Sequence, residues 1–235
     1  MRLLTQLAWE FRLQKRYYFF ATALVISAVW LVLLFSLSDA VKSRWMPVLI
    51  FADLSNIGLL FIAGCLFLER RQGTLYALAI TPVSRGHWLT LKLISLGCLT
   101  SACALVIVGL SGVSVQWWLL VPAVMVTAVL FTLCGFLVAL PFDDILNYFL
   151  LMALSMIVLS LPLFEYFDVY SHWMFWLLPT QPLMQLLTNA FQPTSATTTP
   201  ATTSISVLLA VAWIAVLFVI AQRQFGRFVA MRSQS

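Results

Sequence analysis

Six apolar runs, each long enough to cross a bilayer as a helix, occupy most of this 235-residue chain. Hydrophobic residues make up 63% of the sequence and charged residues only 9%, too few to cover the surface of a soluble domain. Runs of about 20 apolar residues predict membrane-spanning helices. We therefore expect an all-α, polytopic membrane protein that forms a single domain over residues 1–235. The predicted spans are Tyr17–Leu37, Val48–Leu68, Leu93–Leu110, Trp117–Leu140, Tyr148–Phe164 and Ile205–Gln222.

A seventh apolar piece, Trp173–Phe191, is shorter and is interrupted by Pro179 and Pro182. Because it is too short and too broken to span, we expect an outer re-entrant or interfacial hairpin of half-helices before the last span. This hairpin belongs to a large outer segment, residues 165–204. The Thr- and Pro-rich second half of that segment, Gln192–Ser204, is predicted to be a mobile loop.

Lysine and arginine are distributed unevenly between the predicted loops. With the N-terminus inside, only Lys42 and Arg44 lie outside, in a short loop predicted at Ser38–Pro47. Because basic residues favour the cytosolic side, both termini are predicted to be cytosolic. The net charge of +5 therefore reflects topology and does not indicate nucleic acid as a partner. The predicted cytosolic set is Arg2, Arg12, Lys15, Arg16, Arg70, Arg71, Arg85, Lys92, Arg223, Arg227 and Arg232.

Residues 1–16 are predicted to form an amphipathic helix on the inner membrane surface. Leu3, Leu7 and Phe11 recur at i, i+4 and i+8 and form an apolar stripe, and Gln6 and Arg12 lie off that stripe. The alternative is an ordinary basic segment next to the first span.

Nucleotide and protease chemistry are both disfavoured by the motifs. No glycine is followed by the Lys-Ser/Thr pair that completes a Walker A loop, so any ATP must bind on another subunit. Gly109–Gly112 matches the G-x-S-G motif of rhomboid proteases, but a serine nucleophile needs a base within hydrogen-bond reach. The only histidines, His87 and His172, lie in predicted loops away from Ser111. We expect no enzyme activity from this chain by itself.

Metal binding is also disfavoured. Glu165, Asp168 and His172 are spaced i, i+3 and i+7 but lack a fourth ligand, so we expect a hydrated polar rim over aromatic residues. The cysteines lie within predicted spans without metal-ligand spacing, and small apolar fillers are expected at Cys65, Cys98, Cys103 and Cys134.

The segment Glu69–Lys92, between spans two and three, carries ordered signals for a short helix in a cytosolic loop. Gly73 can let the chain turn sharply, and Thr74 can cap a helix that begins at Leu75. Pro82 ends that helix. The alternative is a plain cytosolic loop. The apolar stripe for a partner's groove is Leu75, Leu78 and Ala79, and the expected ion-pairing anchors are Glu69, Arg70 and Arg71.

An acid lies inside the second predicted span. Asp53 is a turn or two from the start of that span, with Asn56 at i+3 on the same face. A charged residue at the centre of a span costs about 2.5–3.5 kcal/mol on insertion scales, so it usually faces a bundle interior or a water-filled path. A polar contact for a cationic substrate and a structural hydrogen bond are both open.

The order of elements and the loop Glu69–Arg85 resemble the type-2 ABC exporter permeases. Glu69-Arg70-Arg71-Gln72-Gly73-Thr74-Leu75 followed by Thr81-Pro82-Val83-Ser84-Arg85 is similar to the coupling loop of that family. Ala52-Asp53-Leu54 and Leu177-Leu178-Pro179-Thr180-Gln181-Pro182 resemble in particular the small permeases of the fluoroquinolone-export type. Related members often carry proline where this chain has Leu54, so the second span is expected to be straighter there.

The resemblance implies that Gln72–Ile80 is a coupling helix in a cleft of a separate ATP-binding subunit, which holds ATP and Mg²⁺. It also implies a dimer with a second permease, identical or paralogous, in a bacterial or archaeal plasma membrane. The implied coupling residues are Glu69, Arg70, Arg71, Gln72, Gly73, Thr74, Leu75, Leu78, Thr81, Pro82 and Arg85. The residues expected to line a substrate path are Asp53, Asn56, Phe61, Tyr148, Met152 and Met156.

The implied function is export of a hydrophobic or amphipathic, drug-like molecule, powered by the partner's ATP. Two alternatives stay open. One is an ABC-type translocase of a lipid or lipid-linked glycan with the same architecture, and the other is an intramembrane enzyme or a membrane anchor without transport activity.

Overall fold

The structure, a computed structural model, describes residues 2–74, 85–170, 172–191 and 200–232. Every regular element in these residues is helical, as the sequence predicts. A 3-10 helix covers Trp173–Leu177. The α-helices are α1 (Arg2–Arg16), α2 (Phe19–Phe35), α3 (Asp39–Arg71), α4 (Arg85–Ser111), α5 (Trp117–Ala139), α6 (Ile145–Leu159), α7 (Pro162–Tyr166), α8 (Gln181–Phe191) and α9 (Pro200–Arg232).

Helix α3 lies at the centre of the bundle and packs against α2, α4, α5, α6 and α8. It approaches α5 closely because two glycines leave room for the facing helix. A Cβ at Gly58 would lie 2.9 Å from the Phe131 Cβ, and one at Gly135 would lie 2.7 Å from the Leu59 Cα. Small residues permit this kind of close helix contact in membranes, where dispersion contacts hold helices together.

Five helical segments of the described chain are long and apolar enough to cross a membrane, and a sixth counts if α1 and α2 form one bent span. The bend between α1 and α2 is 66°. It falls at Tyr18, which has a left-handed φ of 61°. The chain is therefore a multi-pass membrane protein with five or six spans. The five individual segments are α3, α4, α5, the α6–α7 pair and α9.

The prediction of a loop at Ser38–Pro47 is wrong, because α3 begins at Asp39 and continues through Pro47. Lys42 pairs with Asp39 at 3.1 Å, one turn apart on the exposed start of the helix. Proline is tolerated inside such helices because other groups satisfy the carbonyl that it leaves free. Two of the charged residues in the predicted loop, Asp39 and Lys42, therefore form an ion pair at the start of a helix.

The predicted outer hairpin consists of the 3-10 helix and α8, with Pro179 between them and Pro182 in the first turn of α8. Most α8 side chains are buried against α3, α5 and α9, so this helix is part of the core. The prediction of a loop over Gln192–Ser204 is wrong at its end, because α9 begins at Pro200, and proline suits a first helical turn. Residues 192–199 lie outside the described residues.

Candidate coupling site at one end of the bundle

Helix α3 ends in a tight turn where the predicted coupling loop begins. Gly73 has φ 71°, in the left-handed region that favours glycine, and its N–H donates to the Arg70 carbonyl at 3.1 Å. The Thr74 hydroxyl donates to the Glu69 carbonyl at 3.1 Å. These bonds hold the last turn of α3 and give the outgoing chain a defined direction.

A buried lysine connects three helices beside this turn. Lys92, which the sequence analysis counted in the loop, lies two turns inside α4, because that helix begins at Arg85. Its ammonium lies 2.6 Å from the Glu10 carboxylate of α1 and also pairs with the Glu69 carboxylate of α3. The Trp88 indole lies beside the Glu69 carboxylate. The Lys92 side chain is only 2% exposed, so one ammonium ties α1 and α3 to α4 away from water.

Helix α1 packs on α4 through a polar stripe that the sequence analysis missed. Gln6, Glu10 and Gln14 recur at i, i+4 and i+8, and Glu10 and Gln14 are buried. The Gln14 side chain donates to the Ser95 hydroxyl at 3.0 Å, and Gln6 Oε1 lies 2.7 Å from His87 Nε2. The repeated spacing of these three polar residues was the available signal, but only Gln6 was noted from the sequence, as a residue off the apolar stripe.

Arg70 connects the end of α3 to the turn between α5 and α6. Its guanidinium donates to the Leu140 carbonyl at 2.6 Å and to the Phe142 carbonyl, and it lies 3.6 Å from the Asp143 carboxylate. The Phe228 ring of α9 covers the guanidinium at 4.5 Å. Of the predicted anchors, Glu69 thus makes a buried ion pair with Lys92 of α4, and Arg70 makes an ion pair with the exposed Asp143 of the α5–α6 turn.

The other predicted coupling residues are only partly described. The Gln72 amide donates to the Tyr17 hydroxyl between α1 and α2, and Arg71 is exposed. Arg85 is the first residue of α4. The remaining predicted coupling residues lie outside the described residues: Leu75, Leu78, Thr81 and Pro82.

The residues predicted to line a substrate path lie on the neighbouring helices α3 and α6. The Tyr148 hydroxyl donates to the Leu59 carbonyl at 2.7 Å, which fastens α6 to α3. Phe61 packs on Phe19 of α2, with ring centroids 5.0 Å apart. In this conformation Phe61, Tyr148 and Met152 are buried, and Asn56 and Met156 are half-buried.

Asp53 lies deeper than the sequence predicted. Because α3 begins at Asp39, Asp53 is two residues before the midpoint of the helix. Its side chain is fully buried beside the Trp30 indole of α2 and near the Cys103 thiol of α4. It therefore lies on the side of α3 toward α2 and α4.

Glu165, His172 and the serine motif have local partners. Glu165 accepts a hydrogen bond from the Gln181 amide at 2.7 Å, and the His172 ring accepts one from a backbone N–H two residues on. Within the described ranges, no three possible ligands among His, Cys, Asp and Glu lie close enough to hold a metal ion. The Ser111 hydroxyl donates to the Val108 carbonyl at 2.7 Å, one turn back in its own helix.

A bundle of five or six apolar helices with buried ion pairs at one end defines a multi-pass membrane protein. Comparison with known proteins gives its family. A sequence model of the fluoroquinolones export permease protein family matches residues 1–233. The chain therefore belongs to the fluoroquinolones export permease protein family.

Two curated relatives carry that name, and both are from Mycobacterium tuberculosis. The fluoroquinolones export permease proteins of strains CDC 1551 / Oshkosh and H37Rv are each 28% identical to this chain over 234 residues. Each alignment covers 99% of this chain and 98% of the relative, so the resemblance extends over the whole domain.

Proposed function

We propose that this chain is the transmembrane permease subunit of an ATP-driven exporter of the type-2 ABC class. ATP and Mg²⁺ would bind on a separate ATP-binding subunit, and a second permease, identical or paralogous, would complete the membrane part. The proposed location is the plasma membrane of a bacterium or archaeon, with both termini cytosolic. The family and the names of the relatives support a hydrophobic or amphipathic, drug-like cargo that leaves the cell.

The observation that carries this proposal is the buried ion pair on either side of the connection at residues 75–84. Glu69 stands before the connection and Lys92 after it, and the two side chains are joined directly. A partner that pushes the connection would therefore move the ends of α3 and α4 together, and the Glu10 contact would add α1. Burying these charges costs desolvation free energy, and a plain surface loop has no need of such a pair. The cost therefore favours the interpretation of the ion pair as a junction that bears force.

Arg70 supplies a route from this junction to α6. It follows Glu69 directly and binds two carbonyl groups of the α5–α6 turn. A displacement of the α3 end would therefore pull on the residues that lead into α6. The route is a chain of contiguous polar contacts between helix ends, which is a physical basis for coupling over distance.

The proposed substrate path runs between α3 and α6 and opens when their contact separates. The Tyr148–Leu59 hydrogen bond closes that contact in the described conformation. Once α6 moves away, Asn56, Met152 and Met156 would face the opening. Methionine side chains can repack around varied apolar ligands, which suits a drug exporter.

The proposal is tested by transport in inside-out membrane vesicles that contain this chain and its ATP-binding partner. We expect ATP-dependent uptake of a fluorescent fluoroquinolone, which stops when the partner's ATP site is inactivated. A fluorescent phospholipid serves as the second cargo in the same vesicles. If the lipid crosses the bilayer and the drug is not taken up, the function is lipid translocation and not drug export. If neither cargo moves, the proposal is contradicted.

A further inference from the structure

We propose that Asp53 is an intramembrane proton-binding site: its carboxyl group is protonated while α2 covers it, and it exchanges this proton only when α2 separates from α3 and α4. The proposal concerns the side of α3 that faces α2, away from the α3–α6 path. It does not depend on the ATP-binding partner.

The first argument is the burial of the carboxyl group. Asp53 is 0% exposed and lies near the middle of a 33-residue helix in the centre of the bundle. Neither carboxyl oxygen has a hydrogen-bond partner with acceptable geometry among the described residues, although the Trp30 indole lies beside them. An ionised carboxylate in such a place would lose its hydration without a substitute, whereas the neutral acid loses much less.

The second argument is the absence of a counter-ion on the helices that pack against α3. Helices α2, α5, α6 and α8 contain no Asp, Glu, Lys, Arg or His, and their titratable groups are Cys134 and Tyr148. On α4 the lysine Lys92 is held by Glu10 and Glu69, and it lies eleven residues from Cys103, about 16 Å along the helix axis. No described cation lies within ion-pair distance of Asp53.

Charges elsewhere on α3 and α4 do not approach the acid either. On α3 itself the nearest cation along the chain is Arg44, nine residues before Asp53 and about 13 Å away along the axis. His87 of α4 is engaged by Gln6 near the start of that helix. A proton is therefore the simplest neutralising partner for this carboxylate.

The third argument is the chemistry of the side chains around the carboxyl group. The neighbours of the carboxyl are the Trp30 indole, the Cys103 thiol and, beside that thiol, the Ser27 hydroxyl. Like Asp53, Ser27 is buried and has no hydrogen-bond partner with acceptable geometry in the described structure. These groups offer too few oxygen atoms for a sodium ion, since hard cations take several oxygen ligands. A proton needs only the carboxyl itself.

Helix α2 is the element that controls access to the site. Four of its seventeen residues are buried, and three more, Ile26, Trp30 and Leu31, pack half-buried against the core, so only one face of α2 is attached to the bundle. It is also joined to α1 through the sharp bend at Tyr18. A helix attached along one face separates at a lower free-energy cost than a helix buried on all sides, and the separation of α2 would open the acid to water.

Infrared spectroscopy of the full chain in lipid nanodiscs tests this proposal. At about pH 6, where an ordinary aspartate is ionised, we expect a neutral-carboxyl C=O band that shifts slowly after transfer to D₂O. The band should be lost in Asp53→Asn and in Asp53→Leu. It should persist in Asp39→Asn, the same substitution at the exposed start of the same helix.

Several results would overturn the assignment. A wild-type spectrum without a slowly exchanging neutral-carboxyl band contradicts it, even if neither Asp53 variant folds. An unchanged band in Asp53→Asn assigns the proton to another acid. A band that disappears on replacing choline by sodium in the buffer indicates a cation site instead of a proton site. A band that shifts at once in D₂O contradicts the role of α2 as a cover.

Discussion

Replacing Lys92 with methionine removes the one ammonium shared by Glu10 and Glu69. The methionine keeps most of the apolar stem but leaves two carboxylates facing each other in a poorly hydrated site. The Lys92 side chain is 2% exposed and the two acids are 12% and 16% exposed. Breaking a buried ion pair by removing one partner costs about 3–5 kcal/mol, and the residual exposure of the acids points to the lower end of that range.

We therefore expect Lys92→Met to lower the free energy of unfolding by about 3 kcal/mol. For a chain of this length, that corresponds to a melting temperature about 6–12 °C lower. The assay is thermal unfolding of the purified chain in detergent at neutral pH, followed by circular dichroism. The matched control is Lys42→Met, which breaks an ion pair whose acid, Asp39, is 99% exposed. That change should cost less than about 1 kcal/mol.

A triple variant separates the loss of the ion pair from the loss of packing. Changing Glu10 and Glu69 to glutamine in the Lys92→Met background removes the uncompensated carboxylates, so most of the lost stability should return. If Lys92→Met unfolds within 1 °C of the wild type, the buried cluster does not hold α1, α3 and α4 together. A triple variant no more stable than Lys92→Met would also refute the electrostatic reasoning.

Three further predictions concern packing, the α5–α6 turn and topology. Gly135→Ala places a Cβ 2.7 Å from the α3 backbone and should lower the unfolding free energy by about 1–3 kcal/mol in the same melting assay. The control is Gly109→Ala, whose added Cβ has its nearest atom at 3.8 Å and should leave the unfolding free energy unchanged. Arg70→Ala should lower the unfolding free energy by about 2–3 kcal/mol and exposed Arg71→Ala by less than about 0.5; equal effects would remove the assigned role of the Arg70 contacts. Ser195→Cys, in a background without the native cysteines, should react with an impermeant maleimide added outside the cell, and reaction only after lysis would reverse the proposed topology.

The fold was largely predictable because the apolar runs are long and few charges interrupt them. The errors in helix boundaries arose where charge or proline was taken as a sign of a loop. Asp39 and Lys42 form an ion pair inside the first turn of α3, and Lys92 lies inside α4. A single sequence shows that a residue is charged but does not show whether another helix supplies its partner.

The contacts of the predicted coupling residues could be foreseen only in part. Glu69 and Arg70 were expected to make ion pairs, but their partners are far away in the chain: Lys92 and Glu10 for the first cluster, and the α5–α6 turn for Arg70. The polar stripe on α1 was not foreseen as a contact with α4, because an amphipathic pattern alone does not reveal which side meets protein. Such long-range pairings depend on how the helices pack, which periodicity cannot supply.

The proposed exporter depends on a connection that receives force from an ATP-binding subunit, and drug-stimulated ATPase activity of the reconstituted complex tests this most directly. Leu75→Asp with Leu78→Asp places charge on the stripe predicted to enter the partner's groove. The control is Thr197→Asp with Thr198→Asp in the other long connection. We predict that the leucine variant inserts normally but loses the stimulated activity, while the control keeps it. Full stimulated activity in the leucine variant would contradict the assignment of this connection as the coupling element.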